Sequence, residues 1–253
     1  MTDTTEATIA PAPAPAQTPL VPTTPLQLIK TRRFGPLLAG LSVGAFADNL
    51  FRSALVIFLQ YNIYAALIAG ADASHAGALR KEAAMIAALA PGLFMLPYFL
   101  FSATAGQLAD KFDKAWWMQR IKFTEVLVMI IAAIAMNSGN VTFMMASLFI
   151  AGTMAAFYSP VKYAILPQQL TSSELLTGNA IVNAATNLAI LLGTVVGGLL
   201  VMHAHGPLLV SALMVCMAAI GAFSALYIPP APATAKDLQI NPNFVLETHR
   251  ALR

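Results

Sequence analysis

Six apolar stretches decide what this chain can fold into, because each is long enough to cross a lipid bilayer. An α-helix rises 1.5 Å per residue, so about 20 apolar residues span the hydrocarbon core. Inside a bilayer the backbone polar groups must bond to one another, which favours helices. The sequence therefore predicts an all-α, polytopic membrane protein with six spanning helices. The stretches cover residues 34–60, 84–108, 117–137, 141–165, 179–203 and 207–228.

The composition excludes an ordinary soluble domain. Of the 253 residues, 58% are hydrophobic and only 10% are charged, whereas about a quarter of a soluble domain is charged. The basic residues flank the apolar stretches, so the net charge of +3 indicates orientation in a membrane and not binding of nucleic acid. The single cysteine, Cys216, lies in an apolar stretch and is expected to be a buried small side chain. The four histidines, which are His75, His203, His205 and His249, have no ligand-like partners in the sequence. No catalytic motif, metal site or cofactor site is predicted.

The distribution of Lys and Arg predicts the orientation. Residues 1–27 are rich in Pro, Ala and Thr and are expected to form a disordered tail. Residues 28–229 form the membrane domain, and residues 230–253 form a linker. Eleven basic residues lie on the side of the two termini, two lie on the other side and Arg52 lies within a span. By the positive-inside rule, both termini are expected in the cytoplasm.

Three polar residues interrupt the first apolar stretch: Asp48, Asn49 and Arg52. A single charge at mid-membrane costs about 2.5–3.5 kcal/mol on insertion scales. Asp48 and Arg52 are four residues apart, so their side chains are expected to meet on one helix face. We predict that the three residues line a water-accessible cavity; the alternative is a structural ion pair that fixes helix packing. Glu125, in the third stretch, is expected near the cytoplasmic interface with a structural role.

The fourth stretch ends in a polar and aromatic group beside Pro160. Tyr158 and Lys162 in this group are candidates for binding a substrate, although Lys162 is equally well explained as a side chain that extends to the membrane interface.

The fifth stretch carries a polar stripe and a glycine motif. Asn179, Asn183 and Asn187 recur every four residues, so they share one helix face. They are expected either to bond neighbouring helices or to line the cavity. Close helix packing is predicted at three glycines: Gly193, Gly197 and Gly198.

The segment GQLADKFDK after the second stretch resembles the cytoplasmic signature of the major facilitator superfamily. Gly106 is expected to let two helices approach closely, and Asp110 follows it by four residues. Lys111 and Lys114 provide the basic positions, and Asp113 stands where the family usually has a second glycine. In the family this cluster holds the two halves of the transporter together in one state.

Three further segments are similar to the lysophospholipid transporter branch of this superfamily. They are FADN in the first span, YSPVKYAIL at the end of the fourth, and LLTGN followed by LLGTVVGG in the fifth. The resemblance covers residues 36–229. It implies the N-terminal half of a transporter, with six helices in two inverted three-helix repeats.

The resemblance also implies a function: alternating-access movement of lysophospholipid, such as lysophosphatidylethanolamine, across the bacterial inner membrane. Arg52 would meet the phosphate and Asp48 the ammonium. The partners expected are membrane lipids, a C-terminal six-helix half beyond this chain, and a fused or adjacent acyltransferase. Two alternatives remain open: a carrier for another small molecule, such as a drug, sugar or metabolite, and a non-transporting membrane scaffold for an acyltransferase.

Overall fold

The computed structural model describes residues 24–238, and these are helical apart from short connections. A short helix, α1, precedes the bundle, so it begins three residues before the predicted domain boundary at residue 28. The first span is continuous but changes its winding, because α2 passes into a π-helical segment and then into α3. The bounds are α1 Pro25–Ile29, α2 Gly35–Phe58, the π segment Leu59–Tyr64, α3 Ala65–Ala69, α4 Ala73–Lys111, α5 Lys114–Ser138, α6 Val141–Gln169, α7 Leu175–Val201 and α8 Gly206–Ala225.

Six helices in the described residues are long and apolar enough to cross a membrane, as predicted. The first five are longer than the corresponding apolar stretches, and the connections between them are correspondingly short. The first two apolar stretches are separated by residues 61–83, but helix α4 already begins at Ala73. The second and third stretches are separated by residues 109–116, but the connection between α4 and α5 is only Phe112 and Asp113. Helix-forming residues such as Ala, Leu, Arg, Lys and Glu continue these helices beyond the membrane.

Side-chain caps set several helix boundaries. Asp72, Asp113 and Asn140 each accept a hydrogen bond from a backbone N–H in the first turn of α4, α5 and α6. The bond from the His75 N–H, together with bonds from the Ser74 hydroxyl and the His75 ring, holds the pKa of Asp72 below its ordinary value. The chain turns between the third and fourth spans at Gly139, which has the left-handed conformation at φ 67°.

The packing of the six spans has an internal symmetry. Helix α2 packs on α7 and α8, α6 packs on α4 and α5, and α5 packs on α8. If the first three spans are exchanged for the last three, in order, the contacts of α2 become those of α6 and the α5–α8 contact is unchanged. This pattern is what two three-helix repeats produce, as predicted.

Candidate functional site: a polar cavity in the helix bundle

A cavity of about 270 Å³ lies between α2, α4, α5 and α6. Its apolar wall includes Phe94, Met95 and Met154. Ten polar or ionisable side chains line the rest, which is unusual for the interior of an apolar bundle. They are Asp48, Asn49 and Arg52 from α2, Tyr98 from α4, Lys122 and Glu125 from α5, and Tyr158, Ser159, Lys162 and Tyr163 from α6.

The structure brings the three polar residues of α2 into the cavity but pairs them differently from the prediction. Arg52 donates a hydrogen bond to the Asn49 side-chain oxygen, and its guanidinium lies 5.0 Å from the centre of the Phe94 ring. Asn49 also donates to the Ala45 carbonyl, at 2.7 Å. Within residues 24–238, Asp48 and Arg52 do not form a direct ion pair. The predicted pairing of Asp48 with Arg52 is therefore wrong, and the Asp48 carboxylate remains available to a ligand.

A charged pair from α5 completes the site, and the sequence did not indicate its position there. The Lys122 ammonium donates to Glu125 Oε2 at 2.7 Å, and the two side chains are only 3% and 7% exposed. Glu125 was expected to have a structural role near the membrane interface, and the structure adds that it lines the cavity. A Cβ atom at Gly44 would collide with the Lys122 ammonium. The small residue in α2 therefore makes the space into which Lys122 reaches.

Glu125 has one carboxylate oxygen, Oε1, that is buried and has no hydrogen-bond partner among the described residues. Asp48 is an electrostatic neighbour of both Glu125 and Lys122. The charged groups around the cavity are two carboxylates and three cations: Asp48 and Glu125, with Arg52, Lys122 and Lys162.

Helix α6 supplies the opposite wall. The Lys122 ammonium lies 4.4 Å from the centre of the Tyr158 ring, a cation–π contact that links α5 to α6. The Lys162 ammonium lies 5.2 Å from the centre of the Tyr163 ring, and Lys162 makes no ion pair among the described residues. Both predicted binding residues of this segment, Tyr158 and Lys162, therefore line the cavity.

The asparagine stripe of α7 lies elsewhere. Asn183 and Asn187 are exposed on the outside of the six-helix bundle, and Asn179 bonds to the Leu175 carbonyl of its own helix at 2.9 Å. None of the three lines the cavity, to which α7 contributes only Ile190. Gly193 and Gly197 face α2, where a Cβ atom would collide with the carbonyl oxygens of Phe46 and Leu50. Gly198 is less crowded, because its nearest neighbours are the side chains of Ile57 and Ser53.

The charged segment between α4 and α5 binds the chain that follows the last span. We call residues 229–235 the strap. The Lys114 ammonium donates to the Thr234 hydroxyl at 2.6 Å, and the Asp110 carbonyl accepts the backbone N–H groups of Thr234 and Ala235. Lys111 ends α4. Among residues 24–238, no atom lies within 4 Å of the position of a Cβ at Gly106, so the close approach expected at this glycine does not occur within the six-helix bundle.

Asp113, the departure from the family pattern, has two functions in the structure. One carboxylate oxygen caps α5 by accepting the Trp116 N–H, at 2.9 Å. The other accepts the Ala231 N–H of the strap, at 3.0 Å. Its φ of −56° is accessible to any residue, so this turn does not require glycine.

Comparisons with known proteins agree with these features. The sequence model of the Major Facilitator Superfamily matches residues 37–250. The chain is similar to the "Lysophospholipid transporter LplT" of Escherichia coli O1:K1, with 36% identity over 138 residues, 54% of this chain and 32% of that protein. It is 34% identical over 146 residues to the protein of the same name from Photorhabdus laumondii subsp. laumondii, covering 57% of this chain and 34% of that protein. The matched part is thus about a third of the length of these relatives. No solved structure matches the chain.

Proposed function

The chain belongs to the major facilitator superfamily, and on this basis we propose that it forms the six-helix unit with which a carrier moves lysophospholipid across the bacterial inner membrane. The observation that carries the proposal is the cavity inside the bundle, where carboxylates and cations lie within one volume of about 270 Å³. A zwitterionic phospholipid head group presents the complementary charges. The relatives from Escherichia coli and Photorhabdus carry the name of this activity.

Arg52 and Lys162 are the groups suited to the phosphate. Arg52 is held in place by Asn49 and by the Phe94 ring, so its guanidinium is oriented without a carboxylate partner. Lys162 is likewise free of an ion pair among the described residues. A guanidinium binds phosphate through paired hydrogen bonds, and an ammonium adds a flexible charge.

Asp48 is the group suited to the ammonium of the head group. It lies one turn from Arg52 on the same helix, so a bound head group can contact both residues at once. Lys122 is already bonded to Glu125 of the same helix, and we assign that pair a supporting role: Glu125 fixes the Lys122 ammonium, whose contact with the Tyr158 ring joins α5 to α6, and the pair sets the local charge around Asp48.

The exposed asparagines Asn183 and Asn187 support a further part of the proposal. Amide side chains are unfavourable against lipid tails and are usually buried against protein or water. We propose that a second six-helix unit covers this face of α7, and that the two units alternate access to the cavity. Both termini of the chain would then lie in the cytoplasm, in accordance with its Lys and Arg distribution.

The test is uptake of labelled lysophosphatidylethanolamine by spheroplasts that express the transporter and lack any other lysophospholipid carrier. Asp48→Asn and Arg52→Ala should each reduce uptake at least about tenfold, since each removes a charged contact worth roughly 1.5–3 kcal/mol. The matched control is Ser53→Ala on the same helix, whose hydroxyl bonds to the Thr194 carbonyl at 2.9 Å and does not line the cavity. Normal uptake by both charge variants, at equal membrane insertion, would favour the scaffold alternative.

A further inference from the structure

A second cavity, the side groove, lies between α4, α5 and α6, with a volume of about 210 Å³. Helices α4 and α5 follow each other in the chain but hardly touch, whereas both pack on α6. The groove therefore lies between two diverging helices, with α6 as its floor. Met154 of α6 borders both the groove and the polar cavity. The other lining residues are Leu108, Trp117, Arg120, Ile121, Thr124 and Phe157.

Two of the three polar side chains that line the groove, those of Arg120 and Trp117, are hydrogen-bond donors for which the described residues show no acceptor. Arg120 is exposed, its guanidinium lies 5.1 Å from the centre of the Trp116 ring, and it forms no ion pair within residues 24–238. The indole N–H of Trp117 is buried and has no hydrogen-bond partner in the same part of the chain. The Thr124 hydroxyl is already bonded to the Arg120 carbonyl at 2.9 Å. Arg120 and Trp117 are three residues apart, so they share one face of α5.

Trp117 and Arg120 lie in the first two turns of α5, and the end of a spanning helix is expected in the zone between lipid head groups and acyl chains. Helix α5 begins at Lys114, and at 1.5 Å per residue Trp117 and Thr124 lie about 5 and 15 Å into the helix. Trp and Arg are the side chains that occupy this zone, because each combines an apolar body with a polar end.

We propose that the side groove binds an anionic glycerophospholipid of the surrounding leaflet. One acyl chain would lie along Leu108, Ile121 and Phe157, and the phosphate would meet Arg120. A lipid oxygen in the groove would also accept the Trp117 N–H, which otherwise remains unsatisfied. A net negative lipid fits best, because it has no ammonium of its own to compete with the guanidinium for the phosphate. This proposal does not depend on which molecule the polar cavity transports.

The tryptophans of the chain provide the test, because it has only two, Trp116 and Trp117. The Trp116→Phe variant keeps an aromatic ring beneath Arg120 and leaves Trp117 as the single fluorophore in the groove. This variant is reconstituted in bilayers, and its quenching by phosphatidylglycerol with brominated acyl chains is compared with quenching by brominated phosphatidylcholine. We expect phosphatidylglycerol to bind about fivefold more tightly at Trp117, the effect of one arginine near an anionic head group.

The matched control is the triple variant W116F/W117F/F123W, whose reporter lies on the exposed face of α5 and outside the groove. It should show no preference between the two lipids. In the Trp116→Phe background, Arg120→Gln should abolish the preference at Trp117 and Arg120→Lys should retain it, with unchanged helix content by circular dichroism.

Three results with the brominated lipids would overturn the proposal. They are equal quenching by both lipids at Trp117, a preference that survives Arg120→Gln, and no quenching of Trp117 by either lipid. Unbrominated lysophosphatidylethanolamine should not reverse the quenching. Reversal would assign the groove to the single-chain lipid and would likewise overturn binding of a bilayer phospholipid.

Discussion

At the scale of single residues, the charged groups of the cavity divide into two kinds. Lys122 and Glu125 are bonded to each other and are almost completely buried. Asp48, Arg52 and Lys162 line the same cavity without ion pairs among the described residues. The first kind fixes the arrangement of the helices, and the second kind is available to a ligand. Substitutions in the two groups should therefore have different consequences.

Breaking the buried pair should destabilise the fold. In Glu125→Gln the Lys122 ammonium loses its carboxylate, and we expect the free energy of unfolding to fall by about 3–5 kcal/mol. The double variant Lys122→Met with Glu125→Leu removes both charges and should remain close to the wild type. Denaturant unfolding in lipid–detergent mixtures measures the free energy of unfolding of both variants. Equal stability of Glu125→Gln and the wild type would show that the pair does not hold α5 in place.

The sequence indicated which residues of α2 face the cavity, but it did not indicate their partners. The spacing of Asp48 and Arg52 was compatible with an ion pair, and the structure has Asn49 and Phe94 as the partners of Arg52 instead. Phe94 belongs to α4, so its position depends on tertiary packing. Local charge spacing did not indicate that Glu125 faces the cavity. Its position follows from the space that Gly44 leaves in another helix.

At the scale of helices, the glycines differ in what surrounds them. Gly193 and Gly197 of α7 lie against backbone carbonyls of α2, so a side chain at either position has no space. Gly92 of α4 has no atom of residues 24–238 within 4 Å of a Cβ position. A glycine pattern alone cannot distinguish these environments: the GxxxG spacing correctly indicated close packing in α7, whereas Gly106 of the family signature is open.

Gly197→Ala should therefore destabilise the protein by about 1–3 kcal/mol, because the new methyl group collides with the Leu50 carbonyl. The control, Gly92→Ala, should stabilise α4 by about 0.5–1 kcal/mol through its backbone entropy. Unfolding of the two variants under identical conditions tests the packing of α2 on α7. If Gly197→Ala is as stable as Gly92→Ala, that packing is looser than described.

The strap is the second feature at this scale. Gln169 donates to the Pro229 carbonyl at 3.0 Å. The Lys114 ammonium donates to the Thr234 hydroxyl, and the Asp113 carboxylate accepts the Ala231 N–H. The strap is therefore held by the ends of α4, α5 and α6. The family resemblance directed attention to the charges of the signature segment, but it did not indicate this intramolecular partner.

Asp113→Asn should release the strap selectively. The amide oxygen can still cap α5, whereas the amide NH₂ cannot accept the Ala231 N–H. We expect faster amide hydrogen exchange at Ala231 and its neighbours, with α5 unchanged. Asp113→Ala should accelerate exchange in both places, since it also removes a cap worth about 0.5–2 kcal/mol. Unchanged exchange of the strap in both variants would argue that Asp113 does not hold it.

At the scale of the whole molecule, the predicted fold class and family are confirmed. Six long helices and a match to the Major Facilitator Superfamily over residues 37–250 agree with the prediction from apolar stretches and motifs. The number of spans was predictable because the bilayer fixes their length. The side groove was not predictable, since it depends on how far α4 and α5 diverge over α6.

The most direct measurement of the central claim is to locate a bound lysophospholipid within the bundle. Lysophosphatidylethanolamine with a photoreactive group near its head group would be cross-linked to the protein in bilayers, and the adducts mapped by mass spectrometry. The account predicts adducts on Ala45–Arg52 of α2 and Met154–Tyr163 of α6 that excess unlabelled lysophosphatidylethanolamine removes. Adducts confined to lipid-facing residues such as Leu127 and Leu199, or unaffected by competition, would contradict a head-group site in the polar cavity.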